Sequence, residues 1–126
     1  MRAIDTNVLV RLITRDEPGQ LAAAESFVST GAWVSVLALA EATWVLSAVY
    51  GVQSKALATA VEMLLNHQSL VLQDADVIAA ALDLFRANPS VGFSDCLKVQ
   101  IASKAGHEPL GTFDRRLARV QGTQKL

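Results

Sequence analysis

Short apolar runs alternate along this chain with longer stretches whose apolar residues recur at helical spacing, and this alternation constrains the fold more than any other feature. Strands separated by helices pair in parallel, so the pattern predicts an α/β domain around a mostly parallel sheet of four to five short strands. The first strand is expected over Arg2 to Asp5, followed by a helical turn or short helix over Asn7 to Thr14. Pro18 suits the first turn of a second helix carrying Leu21, Ala24, Phe27 and Val28, which stops near Gly31. Ala32 to Val36 is short and β-branched, hence the second strand, with a helix behind it from about Leu37 to Tyr50 that Gly51 ends. Gln53 to Asn66 presents Leu57, Ala60, Val61 and Leu64 on one helical face, and Ser69 to Leu72 forms the third strand. Asp74 or Asp76 caps a helix that ends before Pro89, and Ser94 to Ala105 gives another that Gly106 closes. A fourth strand lies within His107 to Thr112, a last helical turn covers Arg115 to Ala118, and Val120 begins a weak edge strand before a polar tail, Gln121 to Leu126, that is expected to fray.

At 126 residues with 52% hydrophobic content, residues 1–126 are expected to form one domain with a substantial core. Glu41, Thr43 and Ser47 interrupt the most hydrophobic region, so no stretch reaches the roughly 18 to 20 apolar residues of a membrane span. The N-terminus runs directly into strand-like sequence without a signal-peptide pattern, and a cytoplasmic location is the expectation. The single cysteine, Cys96, is followed by Leu97, Val99 and Ile101 and reads as a small core residue. Trp33 and Trp44 also sit within apolar runs and are expected in the core. With a net charge of -1, global charge does not draw a polyanion, so any nucleic acid must be held locally.

Four acidic residues stand against apolar or structure-forming sequence: Asp5, Glu41, Asp95 and Asp114. Asp5 and Asp114 lie at or just beyond the carboxyl ends of expected strands, where open parallel sheets build their sites. Asp5 could simply cap a helix, but Thr6 and Asn7 would serve equally well. Asp95 falls in the first turn of its helix and Asp114 precedes another, so each has a structural explanation on its own. Glu41 does not. It shares a helical face with Leu37, Ala38, Trp44, Val45 and Ala48, while Leu39 and Leu46 lie opposite. A helix apolar nearly all round is expected to be buried, and a buried carboxylate then requires a cation, either a metal or a basic side chain. If folding gathers the four acids, their summed charge demands divalent cations, and an oxygen-only ligand set favours Mg²⁺ or Mn²⁺.

These residues resemble the PIN-domain ribonucleases, and in particular the VapC-type toxins of toxin-antitoxin modules. Asp5-Thr6-Asn7-Val8-Leu9 is similar to the opening motif of that family, Leu39-Ala40-Glu41 to its helix-borne acid, Phe93-Ser94-Asp95 to its third motif and Thr112-Phe113-Asp114 to its closing one. The resemblance implies a three-layer α/β/α domain, with Asp5 and Asp95 as direct ligands of Mg²⁺ or Mn²⁺. The same resemblance implies that Glu41 and Asp114 complete the shell, directly or through water, with Thr112 supporting it. It further implies hydrolysis of RNA (tRNA, rRNA or mRNA) to 5′-phosphate and 3′-hydroxyl ends, a homodimer, and neutralisation by a VapB-type antitoxin. Arg115 and Arg116, beside Asp114, and Arg11 and Arg15 are the foremost candidates for holding RNA phosphates; Lys98 and Arg119 follow. His67 and His107 lie next to helix ends or turns without paired ligand spacing. Two other readings remain. Another Mg²⁺-dependent α/β phosphohydrolase is disfavoured because position 7 is Asn where an Asp-x-Asp enzyme needs a second carboxylate, and a non-catalytic scaffold would bind RNA or a partner without cutting.

Overall fold

Local sequence sets the boundaries of each element. The computed structural model describes residues 1–126. Strand β1 (Arg2–Ala3) gives way to helix α1 (Thr6–Thr14), with Asp5 as N-cap and Arg15, at φ 55°, closing it by an N–H bond to the Arg11 carbonyl. Pro18 opens α2 (Pro18–Val28), where its missing N–H would have had no helical partner. Strand β2 (Ala32–Val34) buries Ala32 and Val34 and turns Trp33 outward. Helix α3 (Val36–Ala48) then starts at once, because the Ser35 hydroxyl accepts the Ala38 N–H at 3.0 Å. Ser35→Ala should therefore cost about 1 kcal/mol, seen as a lower urea midpoint at unchanged slope.

Helix α4 (Ser54–Leu65) leads to β3 (Leu70–Leu72), α5 (Ala75–Ala87) and α6 (Phe93–Ala105), which Gly106 ends at φ 81°. Strand β4 (Leu110–Thr112), a 3₁₀ turn (Leu117–Arg119) and β5 (Thr123–Lys125) complete the chain. The first three strands form a parallel sheet in the order β1-β2-β3, with Ala3 beside Trp33 and Val34 beside Leu72. Strands β4 and β5 form a second parallel pair, Leu110 beside Thr123. The three-layer α/β/α architecture is as expected, with its five strands divided between two ladders. The tail departs from the expectation of fraying. Buried Val120 anchors it, and the Thr123 hydroxyl donates to the Leu117 and Val120 carbonyls at 3.1 and 2.6 Å, so β5 is held along β4.

A core of 27 buried residues joins the layers, with Leu9, Leu39, Leu46, Ile78 and Leu97 wholly or almost wholly enclosed. Phe85 and Phe93 meet edge to face, their centroids 5.6 Å apart, and tie α5 to α6. Helix α3 corrects one expectation. It buries Ala38, Leu39, Ala42, Thr43 and Leu46, but its other apolar face lies open, with Leu37 69% and Trp44 63% exposed. A helix laid on a core can bury only one stripe, so Glu41, on the outer side, is exposed rather than desolvated. Neither tryptophan belongs to the core: Trp33 faces out of the sheet at 37% exposure.

Candidate functional site

The carboxyl end of β1 delivers Asp5 to the surface. Ile4 is buried and its N–H bonds the Trp33 carbonyl at 3.0 Å, so the ladder is held up to the residue before Asp5. The Asp5 Oδ1 accepts the Thr6 N–H at 2.7 Å, which caps α1 and fixes one oxygen of the carboxylate. Thr6 is itself buried, and its hydroxyl donates to Glu41 Oε2 at 2.9 Å across the contact of α1 with α3. Asp5 and Glu41 consequently share one shallow cleft of about 590 Å³, lined also by Thr6, Asn7, Trp44 and Ser94. No lysine or arginine lines it.

Asp95 does not line this cleft. It is the third residue of α6, directly after Ser94, and its carboxylate pairs with Lys98 at 3.1 Å. Asp114 is placed differently. Its Oδ1 accepts the Arg116 and Leu117 N–H groups at 2.8 and 3.1 Å, capping the turn after β4, and these two backbone donors hold its carboxyl below the usual range. The Thr112 hydroxyl accepts the Asp114 N–H at 3.0 Å, which fixes the approach to that turn. No group of three or more His, Cys, Asp or Glu side chains stands close enough to hold a metal ion. The fold thus brings Asp5 and Glu41 together in one cleft and leaves Asp95, the residue after Ser94 of its wall, with Asp114 and Thr112 outside the lining.

The PIN domain family matches residues 3–122 of this sequence. The chain belongs to the PIN domain family. Domains of this family are typically metal-dependent nucleases, which supports a hydrolase of that general kind. A comparison with curated proteins returns no match. No helix of this PIN domain is long and apolar enough to cross a membrane.

The donor chemistry of the cleft fits the divalent ion that PIN nucleases use. Two carboxylates, the Thr6 and Ser94 hydroxyls and the Asn7 side-chain amide offer oxygen, with no thiolate or imidazole among them, and that is the set a hard cation selects. One oxygen of each carboxylate is already ordered through Thr6, by its N–H for Asp5 and its hydroxyl for Glu41. Thr6 entered the sequence reading only as an alternative cap. The signal for its role was its place between an acid and Asn7 at a strand-to-helix junction, where an inward-pointing hydroxyl can reach the neighbouring helix.

None of the basic residues lines the cleft. Arg11 donates to the Tyr50 hydroxyl at 2.8 Å and pairs with Asp16 at 3.3 Å, while Arg15 pairs with Glu25 at 3.6 Å. Arg115, Arg116 and Arg119 are exposed and form no ion pair, so of the named arginines they are freest to meet a polyanion. His67 orders a turn, its Nδ1 accepting the Ser69 N–H at 3.0 Å. Cys96 is buried, and burial together with the neighbouring Asp95 charge pushes its thiol up to about 11, which keeps it protonated and unreactive at neutral pH.

Proposed function

We propose that this PIN domain, taken as residues 1–126, is an Mg²⁺- or Mn²⁺-dependent endoribonuclease and the toxin of a VapC-type toxin-antitoxin pair. The observation that carries the reading is the pairing of Asp5 and Glu41 in an oxygen-lined cleft without a neutralising basic side chain. In this reading Asp5 and Asp95 hold the ion directly, Asp95 exchanging its exposed partner Lys98 for it, and Glu41 completes the shell in the orientation that Thr6 imposes. A bound divalent ion supplies activation of water and neutralisation of charge on the phosphoryl oxygens. Asp114 and Thr112 support the shell from the turn after β4, and Arg115 and Arg116 beside them contact RNA phosphates. Arg11 and Arg15, already engaged with acids, contribute less. The partners are an RNA substrate (tRNA, rRNA or mRNA), a second copy of the chain, and a VapB-type antitoxin, all in the cytoplasm.

Chelation with EDTA should abolish cleavage of single-stranded RNA, and added Mg²⁺ or Mn²⁺ should restore it, with 5′-phosphate and 3′-hydroxyl ends on the products. The absence of a three-acid cluster favours a second reading, a scaffold that binds RNA without cutting it. The same titration separates the two, since the scaffold gives a bound complex and no metal-dependent product.

A further inference from the structure

A second cavity, of about 480 Å³, adjoins the acidic cleft and shares Trp44 and Ser94 with it. Its walls are the last turns of α3, the first turn of α4 and the segment 89–94 that leads into α6. No charged side chain lines it. Ser47, Gln53, Ser54, Ser90 and Ser94 line it, and Trp44 stands exposed at the junction with the cleft. Its volume is in the range of small-ligand sites, and its open, partly polar lining suits a ligand with hydrogen-bonding edges rather than a wholly apolar one.

We propose that this cavity receives a nucleobase next to the scissile phosphate of the RNA, stacked against Trp44 and hydrogen-bonded by Gln53 and the serine hydroxyls. The inference rests on the nuclease reading of the cleft and adds a substrate subsite to it. Charge decides among ligand classes. The cavity has no lysine or arginine to pair with a phosphate and no carboxylate to hold a metal ion, so the strongest anion donors it could offer are the backbone N–H groups at the starts of α4 and α6. A base has an aromatic face and uncharged donors and acceptors on its edges, which is the complement of an exposed indole beside hydroxyls and an amide. Continuity with the cleft supplies the register: a strand laid with one phosphate at Asp5 and Glu41 passes Trp44 and Ser94 as it leaves.

Two measurements test the assignment, one of them independent of cleavage. In a Trp33→Phe chain, the emission of Trp44 is titrated in EDTA with short single-stranded RNA of mixed sequence, and with the same ribose-phosphate backbone lacking bases. Saturable quenching by the intact RNA is expected, with affinity for the abasic strand weaker by about tenfold or more, and Gln53→Ala or Ser47→Leu should bring the intact RNA toward the abasic value. Equal quenching by both strands assigns the cavity to backbone phosphates at the uncapped starts of α4 and α6, and overturns the proposal. Quenching by neither, as expected if the cavity serves a peptide, also overturns it. In the second measurement, a random RNA pool is cut with Mg²⁺ and the ends are sequenced. The unmutated chain should show a base preference at one position beside the cut, which Gln53→Ala flattens. An unchanged preference overturns the subsite and leaves the nuclease standing. Base-dependent quenching without any cleavage supports the cavity as a base site and removes the nuclease reading instead.

Discussion

Replacing Asp5 by Asn is expected to lower metal-dependent RNA cleavage by at least about 100-fold while leaving the thermal midpoint of the chain unchanged. The two outcomes separate because Asp5 has two tasks. As N-cap it accepts the Thr6 N–H, and Asn caps as well as Asp, so α1 keeps its start. Its side chain is exposed, so no core contact changes. What is removed is the negative charge, leaving Glu41 as the only carboxylate lining the cleft. The check is a time course on end-labelled RNA beside a melting curve of the same preparation. Turnover at the unmutated rate would sink the metal-site assignment, and an unfolded variant would mean that the carboxylate matters structurally in a way the cap geometry does not show. In cells, induction of the unmutated chain should arrest growth and induction of Asp5→Asn should not, as the toxin reading requires.

The second large effect concerns stability. Leu39 is wholly enclosed, and Leu39→Ala should destabilise the fold by about 2 to 5 kcal/mol, measured as a fall in the urea midpoint. Against a total of about 5 to 15 kcal/mol for a domain, that is a large share. The cost combines lost burial with the cavity left where α3 meets the core. Activity should fall further than the folded fraction alone accounts for, because α3 also carries Glu41 and the Thr6 bond depends on how α3 lies against α1. A loss below about 1 kcal/mol would show that the inner face of α3 is not tightly packed.

Element order was legible in the sequence because the punctuation is strong. Pro18 begins α2, Ser35 separates β2 from α3 by a single capping residue, and Gly106 closes α6 in a left-handed turn. What the one-dimensional pattern could not carry was orientation. The face of α3 bearing Leu37, Glu41 and Trp44 is as apolar by composition as the face bearing Leu39 and Leu46, and only packing decides which of the two is enclosed. Glu41 is exposed for that reason, and its orientation is set by the bond from Thr6 rather than by burial. The tail is held for a related reason: its residues are polar, but strand pairing of backbone groups with β4 is indifferent to that. Asp114 had two chemically equivalent readings, ligand and cap, and the structure displays the cap.

The bond from Thr6 to Glu41 spans 35 residues, and the third wall of the cleft, Ser94, comes later still. Only a fragment that reaches from Asp5 to Ser94 contains the whole cleft. During synthesis Asp5 leaves the ribosome long before α6, so the acids are made one at a time and stay apart until the chain through α6 has emerged and folded. If the domain cuts RNA as proposed, this delay would keep the growing chain harmless to the message and the machinery still producing it.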